Sequence, residues 1–440
     1  MTPLPAPVRP SACPGLLRIV PALDGGICRI KLPGGVLRSV QARAIAEAAR
    51  HCANGVLELT NRSNLQIRGV LPGQETQLID ALLAAGLGPR VPAADDVRNL
   101  LLSPAAGLDP QARMDLRPLA GQLLDLLQDS PALHTLSAKF ALQLDGGEAL
   151  AMREHPHDLW LAAEDERHLL LGLAGCPNDA PLARIEAPQA LELVHQLLLL
   201  FLELATPEQS RMRQLLGHIS PDELLRRLQT RLNFPLQPPP ANWQPAATVE
   251  RVPAGIYPQA QNGLCMVAAG ARLGRLHAEQ LLALAELSER HGDGELRLTP
   301  WQGLLLGNVP EAGAGELLSA LGDLGLLVRA DEPLLGLVAC TGSAACARGL
   351  ADSKRHALHL AELLRASHAR PQVHLSACPR SCASARVQPY TLLASSPEHY
   401  QLYQRTPETP GFGRLLAPAM TIDQVGAWFA RQHPAGTPDA

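Results

Sequence analysis

Aromatic side chains and lysines are scarce in this chain of 440 residues. Aromatic residues make up 3% of it, so its cores have to be built from Leu, Val and Ala. Lys31, Lys139 and Lys354 are its three lysines, against 35 arginines. The formal net charge is -4 and the pI is near 6.4, which excludes a general basic field. We therefore predict no nucleic-acid partner and no membrane partner.

The sequence also has little that predicts a membrane span or a secretory signal. Its longest apolar run, residues 191–205, contains Glu192, His195 and Glu203 and is too short to cross a bilayer. The first residues show no cationic start followed by an apolar stretch, so no secretory signal is expected. The sequence predicts a cytoplasmic protein in which this run is a buried helix.

An internal repeat organises the chain. The segment LRSVQARAIAEAARHCANGVLELTNRSNLQIRGV, from Leu37, aligns without gaps with LHAEQLLALAELSERHGDGELRLTPWQGLLLGNV, from Leu276. Each copy has apolar residues at helical spacing, an Asn-Gly or Asp-Gly turn, a strand and a second helix. Two α+β copies of this kind are expected to pack as one pseudo-symmetric unit.

The repeat and the composition divide the chain into five segments. The two half-domain copies span residues 14–93 and 248–332. An α/β segment follows each copy, at residues 94–233 and 333–432. The run FPLQPPPANWQPAA, residues 234–247, is predicted to be a linker, because successive prolines suit neither a helix nor a central strand.

Four of the nine cysteines lie in the last α/β segment, as Cys340, Cys346, Cys378 and Cys382. A reducing cytoplasm disfavours disulfides, so closely spaced cysteines there indicate metal ligation. The first pair is too widely spaced for a zinc knuckle, whereas a [4Fe-4S] cluster accepts looser spacing. The spacing favours a cluster, with zinc and unligated thiols as the alternatives.

Local patterns around these cysteines support the cluster. The segment ARGLADSKRHALHLAELLRA is amphipathic, which predicts a helix with Cys346 at its amino end, where the helix dipole favours a thiolate. The segment VHLS predicts a buried strand that ends at Cys378.

Several basic and polar residues are candidates for an anion site. Arg62 and Arg68 flank a strand of the first copy, and the second copy has Trp301 and Gly307 at the matching positions. The cations are therefore not required by the fold, although each alone is compatible with a solvated surface charge. Arginine binds carboxylates and oxyanions in a bidentate manner, and lysine acts as a point charge. The other candidates are Arg98, Asn99 and Lys139, with Arg380 and Arg386 beside the cysteine loop.

His155 and His157 are a weaker candidate pair for binding iron. They alternate in the segment REHPHDLW, but a proline lies between them, and histidines in loops are common.

These features together resemble the nitrite and sulfite reductase superfamily of sirohaem and [4Fe-4S] proteins. The resemblance rests on the two-copy plan, the cysteine spacing and the motifs TNRSNLQIRG, DVRN, SAKF and GIYPQAQNGL. It runs from about residue 14 to residue 395. It implies an α+β fold with two ferredoxin-like half-domains related by a pseudo-twofold repeat, each followed by an α/β domain of the nitrite/sulfite reductase type.

The resemblance also implies roles for individual residues. The cluster ligands would be Cys340, Cys346, Cys378 and Cys382, and in a sirohaem protein Cys382 would also bridge to the haem iron. The residues that match the cations around a reductase's substrate anion are Arg62, Arg98 and Lys139, which the resemblance marks as catalytic.

Within the superfamily, the chain is most similar to the precorrin-3B synthases of aerobic cobalamin biosynthesis. The opening SACPGLLRIVPALDGGICRIKLPGG, the form KFALQLDGG and the modest length carry this similarity. Reductases have a second lysine two residues after the first, where this chain has Ala141, and losing a cation favours a site for a large tetrapyrrole over a small oxyanion. Substrate binding would then fall to Arg62, Arg68, Arg98, Asn99 and Lys139.

This similarity implies an iron–sulfur monooxygenase. It would hydroxylate C20 of precorrin-3A with dioxygen and close a γ-lactone, with electrons from NAD(P)H or a ferredoxin. A mononuclear non-haem iron is a further implied cofactor, and a monomer is expected. Two alternatives stay open: a sirohaem-dependent nitrite or sulfite reductase, and a non-catalytic scaffold held together by a metal.

Overall fold

Four five-stranded sheets form the framework of the part of the chain that the computed structural model describes, residues 13–249, 253–406 and 409–432. The segment for which no secretory signal is expected lies almost wholly outside these residues. Two sheets belong to the repeated copies and two to the α/β segments that follow them.

The two copies contain the same elements in the same order. The first consists of β1 (Val20–Ala22), β2 (Gly25–Ile30), β3 (Val36–Arg38), α1 (Ser39–Cys52), β4 (Val56–Leu59), β5 (Leu65–Val70) and α2 (Glu75–Ala84).

The first α/β segment consists of β6 (Leu100–Leu101), α3 (Arg117–Asp129), β7 (Leu142–Asp145), β8 (Leu159–Ala163), β9 (His168–Leu173), β10 (Ala183–Glu186), α4 (Ala190–Leu204), α5 (Met212–Leu215) and α6 (Pro221–Gln229). The second copy consists of β11 (Gly255–Pro258), β12 (Leu264–Gly270), β13 (Arg275–His277), α7 (Ala278–His291), β14 (Glu295–Leu298), β15 (Gly303–Pro310) and α8 (Ala314–Asp323).

The two copies exchange a strand. The first sheet has the order β1-β2-β5-β4-β13, and the other has the order β11-β12-β15-β14-β3. Leu276 of β13 lies opposite Leu57, and Leu37 of β3 lies opposite Leu296. Helices α1 and α7 pack on each other, and one core of buried aliphatic residues runs through both copies. The copies are therefore halves of one folded unit.

The second α/β segment repeats the topology of the first. It consists of β16 (Leu337–Ala339), α9 (Ser353–Ser367), β17 (Val373–Ser376), β18 (Tyr390–Ala394), β19 (Tyr400–Gln404), β20 (Arg414–Met420) and α10 (Ile422–Gln432). The first three strands of each sheet, β6-β7-β8 and β16-β17-β18, are parallel, and two antiparallel strands complete each sheet. The carboxyl ends of parallel strands meet at one edge, where loops can form a site.

Helix α4 is long and apolar enough to cross a membrane by length and composition when counted from Ala187. In the structure it is a core helix: Leu193, Leu197 and Phe201 are fully or almost fully buried among other apolar side chains, and Glu203 alone of its residues is exposed. The buried helix predicted from the sequence is present.

The fold class predicted from the sequence is confirmed, but one local expectation is wrong. Helix α9 begins at Ser353 and not directly after Cys346, because the Asp352 carboxylate caps it by accepting a hydrogen bond from the Arg355 N–H (3.2 Å). Cys346 lies in a turn instead, where its N–H donates to the Gly342 carbonyl (2.9 Å). The division into five segments with a linker stays a proposal.

Gly35 tests how tightly the two halves are joined at the exchanged strand. Its φ is +73°, and a Cβ there would lie 2.4 Å from the Leu298 carbonyl oxygen and 2.9 Å from the Ser63 Cβ. The control is Gly73, whose φ is +83° but whose Cβ would meet nothing within 4 Å. We expect Gly73→Ala to cost about 1 kcal/mol through backbone strain alone, and Gly35→Ala at least twice that because strain and collision add. Calorimetric melting of the variants measures the difference. Equal losses would contradict the crowding at Gly35.

Candidate functional site

The four cysteines lie on two loops at the carboxyl edge of the second α/β sheet. Cys340 directly follows β16, and Cys378 lies two residues after β17. The loops are tied to each other, because the Leu350 N–H donates to the Ala377 carbonyl (3.0 Å) and the Ala377 N–H donates to the Cys340 sulfur (3.3 Å). Adjacent parallel strands thus bring together residues that are far apart in sequence.

The four thiols surround one region. None of them is in a disulfide. Burial, followed by the nearby sulfur atoms of Cys378, Cys340 and Cys346, raises the pKa of Cys382. Like-charged thiolates this close need a compensating positive centre, which an iron–sulfur cluster supplies.

The arrangement differs from a site for one metal ion. The four cysteine sulfurs are not all close enough together to hold one ion. Among the described residues, ligand atoms of three side chains lie within 4.8 Å of one another at Glu164, Asp165 and His168. A cluster places each thiolate on a different iron, so it needs thiols that surround a larger volume. Four thiols on two adjacent loops are the donor set that a [4Fe-4S] cluster takes.

The first α/β domain has the same loops without the thiols. Loops 146–158 and 377–389 are equal in length and join equivalent strands, which puts Gly147 and Ala151 at the positions of Cys378 and Cys382. Strands β6 and β16 are also equivalent, since Leu100 and Leu337 pair with the first residues of β7 and β17. Counting nine residues onward from each puts Asp109 at the position of Cys346. The Asp109 carboxylate there accepts hydrogen bonds from the N–H groups of residues 149 and 150. In the first domain, the Asp109 carboxylate thus occupies the position that Cys346 has in the second.

A largely buried carboxylate, Glu58 of β4, anchors the cysteine loop to both half-domains. It lies 3.1 Å from the Arg275 Nε, 3.4 Å from an Arg68 guanidinium nitrogen and 3.6 Å from the Lys354 Nζ. Thr341, next to Cys340, donates its hydroxyl to it (3.2 Å). Burial works to raise the pKa of Glu58, but the three cations outweigh it and the pKa is lowered.

A cationic cavity of about 130 Å³ lies beside the cysteine loop and is open to solvent. Arg62, Arg211 and Arg213 line it, and Ala385 of the cysteine loop borders it. Burial, followed by repulsion from Arg211, lowers the pKa of Arg62 to about 10. In the described structure the Arg62 guanidinium makes no hydrogen bond to protein, so an anion in the cavity would be stabilised.

Asp158 orients one of these cations. Both of its carboxylate oxygens lie 2.9 Å from the Arg211 Nε, and it also accepts the N–H groups of Ala141 and Met212 at 2.9 Å. Only the Nε of Arg211 binds Asp158. Within the described residues its terminal nitrogens make no hydrogen bond to protein, so they are available to a ligand.

Two further cations, Arg29 of β2 and Lys31 directly after that strand, were missed by sequence reasoning as site residues. Burial is the largest influence on the pKa of Arg29 and lowers it. Charges on Cys13 and Cys382 are close enough to raise it in part. Burial likewise lowers the pKa of Lys31 to about 7, and its Nζ donates to the Asp95 carbonyl (2.7 Å). The alternation in CRIK, which places both cations on one face of the strand, was the available signal.

The candidate residues from the sequence have different surroundings. Arg68 is buried, and its guanidinium binds the Asp24 carboxylate through two contacts of 2.9 Å. Arg98 is also buried and donates weakly to the Leu87 carbonyl (3.3 Å) and Asp95 (3.4 Å), while its Nε has no partner. All of these roles stay predictions.

Asn99 and Lys139 are neighbours through the backbone. The Asn99 side-chain amide donates to the carbonyls of Ala138 and Phe140, both at 3.1 Å, and so fixes the turn that presents the exposed Lys139. Arg386 forms an ion pair with Glu154 and thereby joins the cysteine loop to the first α/β domain, and Arg380 lies near Cys382.

His155 and His157 are buried, with ring centroids 4.7 Å apart. Both nitrogens of His155 and the Nε2 of His157 have no partner. Burial, followed by the charge of Arg62, lowers the pKa of His155 to about 3. The charges of Arg62 and Arg211 disfavour a further cation at these two imidazoles, and the described residues supply no third ligand atom to them.

Comparison with known proteins identifies the domains of the chain. The family described as the nitrite/sulfite reductase ferredoxin-like half domain matches residues 21–85 and 257–324, and the nitrite and sulphite reductase 4Fe-4S domain matches residues 93–236. The four cysteines lie outside that second match.

Curated relatives are similar over most of the chain. The chloroplastic ferredoxin–nitrite reductase of Zea mays is 30% identical over 386 residues, which are 82% of this chain and 68% of the relative. That of Arabidopsis thaliana is 31% identical, covering 82% and 65%, and the ferredoxin–nitrite reductase of Synechococcus elongatus is 28% identical, covering 84% and 76%. The chain thus spans about two thirds of the length of these plant relatives.

Among solved structures, the Mycobacterium tuberculosis NirA protein matches 94% of this chain and 82% of its own, with a TM-score of 0.77 and 21% identity. At that identity the likeness concerns the fold alone. The match to the 4Fe-4S domain and the nitrite reductase relatives identify the chain as an iron–sulfur oxidoreductase. The chain belongs to the nitrite/sulfite reductase family.

The interpretation as a precorrin-3B synthase is wrong. The relatives above are named ferredoxin–nitrite reductases. Precorrin-3A, dioxygen, C20 hydroxylation and lactone closure are therefore withdrawn, and the mononuclear iron loses its basis. The error came from the weight given to the opening segment, the form KFALQLDGG and the modest length, and from reading Ala141 as a lost cation. Arg211 and Arg213 bring positive charge to the cavity from another element.

Substituting one cysteine tests the proposed cluster ligands. We expect Cys378→Ser to lose the cluster, because the remaining three thiolates cannot close it. The control is Cys176→Ser, which alters a half-buried cysteine of the first α/β domain. Iron and acid-labile sulfide are measured on anaerobically purified protein. Full iron and sulfide content in the Cys378 variant would refute the assignment.

The lowered pKa of Lys31 predicts a pH-dependent stability. The unfolded chain binds this proton up to about pH 10.5 and the folded protein only up to about pH 7, so stability rises with pH between these values. Relative to Lys31→Met, the wild type should gain about 1 kcal/mol per pH unit between pH 7 and pH 9. Denaturation at several pH values measures this, with the exposed Lys139→Met as control. Parallel curves for all three proteins would contradict it.

Proposed function

We propose that this chain is a sirohaem-dependent nitrite reductase that takes its electrons from a ferredoxin. The observation that carries the proposal is the pair Arg62 and Arg211, two guanidinium groups facing one cavity beside the cysteine loop with a single carboxylate, Asp158, to offset them. Nitrite is a small anion that such a pair can bind. The names of the relatives support nitrite as the substrate.

The site also suits a tetrapyrrole cofactor with many carboxylates. Cys382 is the exposed one of the four cysteines and borders the cationic region. Arg29 and Arg98 supply further positive charge, and the Nε of Arg98 has no partner in the described part of the protein. When bound, sirohaem and the cluster would supply the electrons and an iron coordination position for the substrate.

The residues of the chain bind and orient the substrate. Arg62 and Arg211 would hold the nitrite oxygens, and Asp158 would keep Arg211 in place through its Nε. Reduction of nitrite to ammonium consumes six electrons and eight protons, so negative charge develops on the substrate oxygens as they are protonated and leave as water. Fixed cations at those oxygens stabilise this charge more in the transition state than in the ground state.

A ferredoxin is the proposed donor because the cysteine loop reaches the surface. Arg348 and Arg380 are exposed beside Cys346 and Cys382, and Leu350 is 50% exposed between the loops. An apolar residue flanked by arginines suits a small acidic electron carrier. The cytoplasmic location and the monomeric state stay expectations.

Extraction and turnover test the proposal together. Acidic acetone should release an iron tetrapyrrole from the anaerobically purified protein, and reduced ferredoxin should drive nitrite to ammonium. Absence of both the tetrapyrrole and ammonium formation would refute the proposal. Sulfide formation from sulfite at a higher kcat/KM would reassign the substrate.

The cation pair is tested by Arg62→Gln. We expect kcat/KM for nitrite to fall about 100-fold, because an oriented donor at the developing charge is lost, while the tetrapyrrole absorption is retained. The matched control is Arg329→Gln, an exposed arginine paired with Asp331, which should keep wild-type activity. Unchanged turnover in the Arg62 variant would remove it from the site.

A further inference from the structure

The sulfur of Cys340 differs from the other three cluster sulfurs in its hydrogen bonding. It accepts the Ala377 N–H at 3.3 Å, and the Ser353 hydroxyl oxygen lies 3.2 Å from it. Within the described residues, the sulfurs of Cys346, Cys378 and Cys382 receive no hydrogen bond. Cys340 is therefore the ligand whose charge the protein itself stabilises most directly.

Ser353 is held in place from several directions. It is completely buried at the start of α9, and its hydroxyl also lies 2.9 Å from the Cys340 carbonyl oxygen, to which it can donate. Gly342 has φ +73°, and a Cβ there would lie 2.8 Å from the Ser353 hydroxyl oxygen. Only glycine at that position leaves room for this hydroxyl.

The hydroxyl has one hydrogen and two acceptors, the Cys340 carbonyl and the Cys340 sulfur. When Cys340 is a cluster ligand, its sulfur is a thiolate, and a charge-assisted hydrogen bond is stronger than one to a neutral carbonyl. The next residue, Lys354, adds a positive charge close enough for Cys340 to influence its pKa, although burial is the larger effect and lowers it. The hydroxyl should therefore turn from the carbonyl to the sulfur.

We propose that the Ser353 hydroxyl donates a hydrogen bond to the thiolate of Cys340 and thereby raises the reduction potential of the bound cluster. Reduction adds one electron to the cluster and no bond is formed or broken. The added negative charge is shared by the ligand sulfurs, so a donor at one sulfur stabilises the reduced form more than the oxidised form. Ser353 is a positioning residue, and its role rests on the proposed function only in requiring that the four cysteines hold the cluster.

The test compares two buried hydroxyls of the same region. Ser353→Ala removes the donor to sulfur, whereas Ser376→Ala removes a hydroxyl that donates to the Cys378 carbonyl (2.7 Å) and not to a sulfur. Potentiometric titration followed by electron paramagnetic resonance measures the midpoint potential. We expect Ser353→Ala to make reduction about tenfold less favourable, a fall of about 60 mV for one electron. Ser376→Ala should leave the potential at the wild-type value.

Ser353→Thr is the conservative variant, since it keeps the hydroxyl and should restore the wild-type potential. If Ser353→Ala fails to hold a cluster, Ser353→Thr decides: a cluster at the wild-type potential supports the proposal, and loss of the cluster overturns it. A wild-type potential in Ser353→Ala with intact iron and sulfide, or an equal shift in Ser376→Ala, also overturns it. Wild-type protein without any cluster would instead contradict the proposed function.

Discussion

The position of the cysteine loop depends on the buried carboxylate of Glu58. A buried carboxylate without partners would be costly, and one partner would not compensate for its desolvation. Arg68 from its own half-domain, Arg275 from the exchanged strand and Lys354 from the cysteine domain all approach it. Because each cation comes from a different segment, one charge fixes three bodies relative to one another. The cluster ligands and the cationic cavity keep their separation only while this junction holds.

The pseudo-twofold repeat gives two similar frameworks, and a few substitutions give only one of them a site. In the described structure, Trp301 stands where the first copy has Arg62, and Gly147 and Ala151 stand where the second α/β domain has cluster cysteines. The Asp109 carboxylate binds backbone N–H groups where the other domain has Cys346. The four cysteines and Arg62 take part in neither the strand pairing nor the apolar cores, so the two frameworks share one plan although only one carries these residues.

The sequence predicted the features that are local or repeated. The two copies, the strand and helix order and the buried α4 follow from periodicity and spacing, and the role of the four cysteines as one ligand set stays a prediction. The exchange of β3 and β13 does not, because short strands of three residues carry too little pattern to specify their partner. The start of α9 was misplaced since a helical pattern continued through residues that form turns. Ser353 was missed because its approach to Cys340 depends on the backbone at Gly342.

The wrong interpretation of the substrate shows that positive charge can reach a site from residues outside the motif that predicts it. The residue at position 141 is an alanine, and its buried backbone N–H donates to Asp158 (2.9 Å). The same carboxylate binds the Arg211 Nε at 2.9 Å. Ala141 therefore helps to fix Asp158, which in turn orients the cation Arg211. An anion in the cavity meets guanidinium groups from β4–β5 and α5 that are distant in sequence. The electrostatic field at the substrate depends on the three-dimensional positions of the charged groups. The absence of one residue from a motif is therefore weak evidence for a different reaction.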